Sequence, residues 1–303
     1  MISQIRKYSE MDKSVTKMKV ILSRKGWDSA SGGKPNLIFD QTGEMIMLPI
    51  PENNGEVSYD DLHLSRDEDL SQRLKVALPR YNETVNMSTA CHTDPDLKNL
   101  FRQNNFTGSL GQADQSQSHL RNQKIGKGDL FIFFGLFNHV TLDKERLFIA
   151  SKHPRHTIFG YLQIGDMVFP QSENKEGRAE LELKYPWIKN QPHWNAEKYK
   201  DHSNNCIYVA AEHCTFAPDL PGCGTFNYDE ELDLTRKNDP YVTHWKLPDD
   251  LNGLSITYCK NSMTQDGYFR APGRGQELVI EDCERAEKWA EKLITEHARR
   301  RVY

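Results

Sequence analysis

The sequence predicts an α/β or α+β fold, a mixed central sheet flanked by helices and interrupted by long loop excursions. Three observations lead there. Short apolar runs rich in β-branched and aromatic residues recur at Val20–Leu22, Leu130–Phe134 and Ile207–Val209. They are too brief for helices and continuous enough for strands covered on both faces. Two stretches instead carry apolar residues at helical spacing: Leu70, Leu74, Ala77 and Leu78 after Ser65, and Ala286, Trp289, Ala290, Leu293 and Ile294 near the C-terminus. Finally, the polar segment from Gln171 to Asn204, with Pro186, Trp187, Pro192, His193 and Trp194, reads as an excursion over the core, where functional lids are often found.

The individual elements follow from local chemistry. Pro35–Phe39 and Met45–Pro51 are expected as two extended pieces around a turn at Asp40–Gly43. Ser65–Leu78 should be a helix, capped by Ser65 with Asp67 and Glu68 in its first turn. Thr93 or Asp94 would cap a second helix through Leu97, Leu100 and Phe101, with Pro95 in its first turn. Gly128–Gly135 is the strongest strand signal. Thr157–Ile164 and Met167–Phe169 are expected as a strand pair joined at Gly165-Asp166. A last strand at Gln276–Ile280 precedes a helix over Cys283–Arg301, with an i,i+4 pair Glu284–Lys288 and arginines at its negative end.

A chain of 303 residues suits one large core. Residues 1–17 are read as a flexible N-terminal lead and 18–303 as a single domain. The net charge of −4 argues against a generally basic surface that coats nucleic acid. No apolar stretch is long enough to span a membrane. The six scattered cysteines, with no C-x-x-C pair and no signal-peptide core ahead of them, are expected as reduced thiols in the cytoplasm.

The chemistry-bearing residues gather around the stretch Lys19–Gly33, where an apolar run stops in Ser23-Arg24-Lys25-Gly26 and continues through Asp28 to Gly32-Gly33. Strand ends that open into such loops are where α/β sheets bind ligands. Ser23, Arg24 and Lys25 are candidates for holding phosphate. The strand over Asn205–Ala211 ends likewise in Glu212-His213. If it runs parallel to the first, Arg24, Lys25 and Asp28 face Glu212 and His213 across one crevice, with Asp28, His213 and Glu212 as acid–base groups. Gln112 and His119 are candidates for orienting a base through paired donors and acceptors. His92-Thr-Asp94 has the His-x-Asp spacing of a 2-His-1-carboxylate iron site. Its third ligand would be a later histidine, with His119, His193 and His213 as candidates and His193 chosen. A divalent metal, iron, is thus the one cofactor the sequence suggests. Tyr268-Phe269-Arg270 with Arg274 combines rings and guanidinium groups, as binders of single-stranded nucleic acid do.

With these residues in view, the chain resembles the nucleotide-modification-associated domain family, type three. The resemblance is carried by Lys19-Val-Ile-Leu-Ser-Arg-Lys-Gly-Trp-Asp-Ser29 with Gly32-Gly33, Met47-Leu-Pro-Ile-Pro51, Cys91-His-Thr-Asp-Pro-Asp96 and Gly128-Asp-Leu-Phe-Ile-Phe-Phe-Gly135, and covers nearly everything from Met18 onward. Such proteins occur in phages and bacteria beside genes for modified nucleotides or bases. The resemblance therefore implies a part in nucleotide or nucleic-acid modification and names no catalytic residue. Three readings are compatible with it. The first is an enzyme working on a phosphate-bearing nucleotide or nucleic-acid substrate by acid–base chemistry. The second is a non-haem iron oxygenase using His92, Asp94 and a distant histidine. The third is a non-catalytic module that recognises modified nucleic acid.

Overall fold

The computed structural model describes residues 17–298 apart from 54, 65–74, 76, 77, 79, 80, 144, 145, 150–152, 196, 260–266, 274–276 and 281–283. Nearly all of the expected lead, most of the Ser65–Leu78 helix, Arg274, Cys283 and Arg299–Arg301 lie outside these residues.

Ten strands form one mixed sheet: β1 (Val20–Arg24), β2 (Asn36–Phe39), β3 (Glu44–Ile46), β4 (Ser109–Gln112), β5 (Leu130–Asp143), β6 (Arg146–Ile149), β7 (Arg155–Val168), β8 (Cys206–Ala210), β9 (Cys223–Thr225) and β10 (Glu277–Ile280). The main pairing order is β10-β1-β5-β7-β8-β4, with β9 on β7, and β2 and β6 on β5. β1 and β5 are parallel, Val20 opposite Leu130 and Arg24 opposite Phe134. The apolar run at 130–134 is thus the middle of the sheet, buried on both faces as its composition requires.

Alternation along the strands sorts the two faces. Val20, Leu22, Leu130, Ile132 and Phe134 meet Trp289, Leu293 and Ile294 of the C-terminal helix. Ile21, Phe131, Phe133, Leu110, Tyr208 and Val279 form a second cluster with Leu120, which belongs to α1 (Asp114–Asn122). Because residues from both ends of the pairing order share that cluster, the sheet is curled around it. The excursion folds into α2 (Lys175–Lys184), a short helix α3 (Pro192–Asn195) and 3-10 turns. Its Trp187, Ile188 and Trp194 cover Val168, Ile207 and Val209 on the outer face of β7 and β8. The terminal helix, α4, spans Glu284–Ala298.

Two expected elements differ. The helix after Pro95 does not form: both carboxylate oxygens of Asp96 accept from the Leu100 amide and one also from that of Lys98. Asn99 and Arg102 adopt left-handed φ of 59° and 49°, so the segment is a series of turns. Nor does the chain reverse at Gly165-Asp166; β7 runs through them. A Cβ on Gly165 would lie 2.5 Å from Ala211 Cα, so glycine there admits the crossing backbone at the irregularity between Val209 and Ala210. Asp40–Gly43 does turn β2 into β3, with Leu37 opposite Ile46.

Candidate metal centre

Cys91-His92 pairs with Ile50-Pro51, and the chain then runs along β4 through the Asp96–Ser109 bridge. This lays Asp94 alongside the edge of β4. Gly111, one residue before the end of that strand, donates its N–H to Asp94 Oδ1 at 2.6 Å. The same glycine leaves room for His193 of α3: an added Cβ would be 2.7 Å from His193 Nε2. Potential ligand atoms of His92, Asp94 and His193 consequently all lie within 4.8 Å of one another.

His193 and Asp94 are held from behind by hydrogen bonds, and His92 has a carboxylate within ion-pair distance. Asn205 donates its amide N–H to the His193 carbonyl at 2.7 Å. That orients the Asn205 oxygen towards His193 Nδ1, 2.6 Å away, so Nδ1 carries the proton and Nε2 keeps its lone pair. Burial, followed by the nearby His92 charge, pulls the His193 pKa down to about 3, and the ring is a neutral imidazole at physiological pH. Gln191 bonds two of the three candidates, donating to Asp94 Oδ1 at 2.8 Å and accepting from the His193 amide at 2.7 Å. His92 Nδ1 lies 3.5 Å from Glu52 Oε2, a carboxylate that Lys198 also pairs with and whose pKa is lowered to about 2, first by the His92 contact. Tyr199 stacks on the His193 ring at a centroid distance of 4.0 Å. Histidine ligands backed by a carboxylate or carbonyl oxygen are the usual outer support of a metal site. Asp94 is buried, and desolvation raises its pKa. A buried carboxylate beside two imidazoles is a donor set suited to a divalent cation, the cation replacing the proton it would otherwise take.

A second cluster adjoins the first. Ser23 and Lys25 lie on the inner face of β1 and its extension, and Gln112 on the inner face of β4. All three bond Glu277 at the start of β10. The two clusters are neighbours along β4, where Gln112 of the second follows Gly111 of the first, and the positive charge of Lys25 acts on both Asp94 and His193. His119 of α1 lies beside them, 3.1 Å from Thr257 Oγ1.

The remaining candidates lie elsewhere. Arg24 pairs with Asp28 at 3.0 Å, and Asp28 Oδ1 accepts from the Ala30 and Ser31 amides, which shapes the loop after β1. β8 does run in the same direction as β1, but it is staggered. Ala210 is opposite Ile164 and Val20 aligns through Leu130 with Gln163, whereas Arg24 aligns through Phe134 with Ile158. The end of β8 is therefore level with the beginning of β1, about 17 Å along the strands from Arg24 at 3.4 Å per residue. His213 and Glu212 contact each other at 3.8 Å with side chains 56% and 88% exposed. The structure does not bring them to Arg24, Lys25 or Asp28. Sequence reasoning passed over Glu277, Glu52, Asn205 and Gln191; the one visible signal was Glu277, a carboxylate opening an otherwise apolar strand.

Among the described residues no helix is long and apolar enough to cross a membrane. No curated protein and no solved structure matches the chain. A family model does, over residues 19–281 and hence most of the length. The chain belongs to the nucleotide modification associated domain 3 family.

Proposed function

We propose that the protein is a metal-dependent enzyme of nucleotide or nucleic-acid base modification, with His92, Asp94 and His193 holding a divalent ion, iron(II) by the chemistry of the set. The observation that carries this is the convergence of three potential ligand atoms within 4.8 Å, with the side chains of Asp94 and His193 buried and supported from behind by hydrogen bonds. Two imidazoles and one carboxylate leave coordination positions open, and a metal held so supplies a place to bind and polarise oxygen or substrate. The chain's own residues do the rest. Asn205, Gln191 and Glu52 orient the ligands, Tyr199 shields one side, and Lys25, neutralised in part by Glu277, offers a cation to an anionic substrate. The exposed Glu212-His213 pair has a weaker claim, because it is remote from the phosphate-holding candidates, and so has Asp28, whose carboxylate is engaged by Arg24 and by the amides of its own loop.

Anaerobic reconstitution with iron(II), followed by metal analysis, tests the reading. The wild type should retain about one equivalent, and His193→Ala or Asp94→Ala should retain almost none while keeping its far-ultraviolet circular dichroism. Equal retention in both variants refutes the centre.

A further inference from the structure

Glu277 is only 2% exposed, and its two oxygens are treated unequally. Oε1 accepts from Ser23 Oγ at 3.2 Å, Lys25 Nζ at 2.9 Å and Gln112 Nε2 at 2.5 Å. Oε2 is equally enclosed and accepts from no described residue. A carboxylate kept only to neutralise Lys25 gains nothing from this asymmetry, because a buried acceptor left unpaired is costly. The free oxygen needs an N–H or O–H from outside the described chain. Its neighbour Lys25 has three donors and acts on Asp94 and His193. On the other side His119 feels the charge of Glu277. The His119 ring lies 4.6 Å from that of Tyr258, which is 63% exposed. Both line an open cleft of about 750 Å³ together with Arg121 and Asn204. Glu277 thus adjoins His119, which lines the open cleft, and through Gln112 and Lys25 it adjoins the candidate metal centre.

We propose that Glu277 Oε2 and Lys25 Nζ together read the hydrogen-bonding edge of a nucleobase, the carboxylate accepting a base N–H and the ammonium donating to the adjacent carbonyl oxygen or ring nitrogen. This rests on the reading of the protein as a base-modifying enzyme and deepens it: the substrate is recognised through its base and not only through phosphate. An acceptor beside a donor matches the N3–H/O4 edge of thymine or uracil, the N1–H/O6 edge of guanine, and the amine/ring-nitrogen edges of cytosine and adenine.

Calorimetric titration of the metal-free wild-type protein decides the matter. The probes are the four deoxynucleoside monophosphates, the N3-methylated thymidine and N1-methylated guanosine monophosphates, and deoxyribose 5′-phosphate. At least one base should bind, and identify the edge read. Blocking its N–H, or removing the base, should weaken binding at least about tenfold, the scale of one lost base-edge contact. Glu277→Gln should show the same selective loss; if that variant does not fold, the blocked ligands decide alone. Binding unchanged within about twofold by methylation or base removal, or no binding of any monophosphate, overturns the proposal. Iron stoichiometry on the same preparation keeps the two readings apart: one equivalent of iron with no base selectivity defeats base reading and leaves the metal centre standing.

Discussion

Gln112 and Glu277, 165 positions apart, are bonded side chain to side chain at 2.5 Å, although they belong to β4 and β10, the two ends of the sheet's pairing order. The curl that makes this contact also determines which residues meet in the crevice. Ser23 and Glu277 face each other across one pair of strands, and Gln112 arrives from the far edge.

Gly111→Ala should damage the fold and the centre together. The new methyl would overlap the His193 ring, and overpacking of this kind costs about 1–3 kcal/mol. We expect a lower Tm and loss of bound iron. Gly126→Ala, where an added Cβ meets nothing within 4 Å, should change neither. A Gly111→Ala protein with full iron content would show that His193 is not a ligand.

Asn205→Ala removes the partner of His193 Nδ1 and leaves the ligand set itself intact. Loss of such an outer partner lowers metal affinity by about 10–100-fold. The expected outcome is weaker iron binding in competition with a chelator. Unchanged affinity would mean that the Asn205 contact does not orient the ring.

Asn36 holds the loop after β1. It is fully buried and makes four bonds, accepting from the Trp27 and Leu48 amides and donating to the Trp27 and Leu136 carbonyls. Asn36→Ala strands those backbone groups, and with about 1–3 kcal/mol for each buried group left unpaired the loss should be on the order of 4 kcal/mol. Urea unfolding measures it. A loss below about 1 kcal/mol would show that water replaces the side chain.

His156 makes stability depend on pH. Its Nδ1 accepts from Trp245 Nε1 at 3.0 Å, and burial, then the Arg24 charge, lowers its pKa from 6.5 to about 3. The unfolded chain therefore takes up this proton first. The contribution is complete above pH 6.5 and is lost as pH falls from there towards about 3, by up to about 1.4 kcal/mol per pH unit. The difference in unfolding free energy between wild type and His156→Gln should shrink over that interval. A difference constant from pH 7 to 4 would refute the assignment.

What was legible in the sequence was whatever burial and local spacing dictate. The runs at Val20–Leu22 and Leu130–Phe134 and the stripe ending in Leu293 and Ile294 each fix an element on their own. The helix after Pro95 was misread because Asp96 can close turns as readily as Asp94 can cap a helix. Of the candidate ligand trio, His92 and Asp94 are a local pair visible in one glance, whereas His193 is placed by an excursion that folds back over β8. The crevice imagined between Arg24 and His213 failed for a different reason. Strand direction can be guessed from pattern, but the stagger between strands depends on which part of β7 each of its neighbours pairs with, which no periodicity announces.

The contact between Gln112 and Glu277 has a consequence for dissecting the protein. The groups that meet there come from widely separated portions of the chain, from Ser23 and Lys25 near the beginning to Glu277 near the end, and the last of them is placed only when the outermost strand docks. A fragment that stops before β10 would keep the histidines and lose the carboxylate that steadies Lys25. The contacts of Glu277 are thus a gauge of whether the whole polypeptide has closed on itself, and piecemeal expression would sever Glu277 from the candidate metal centre.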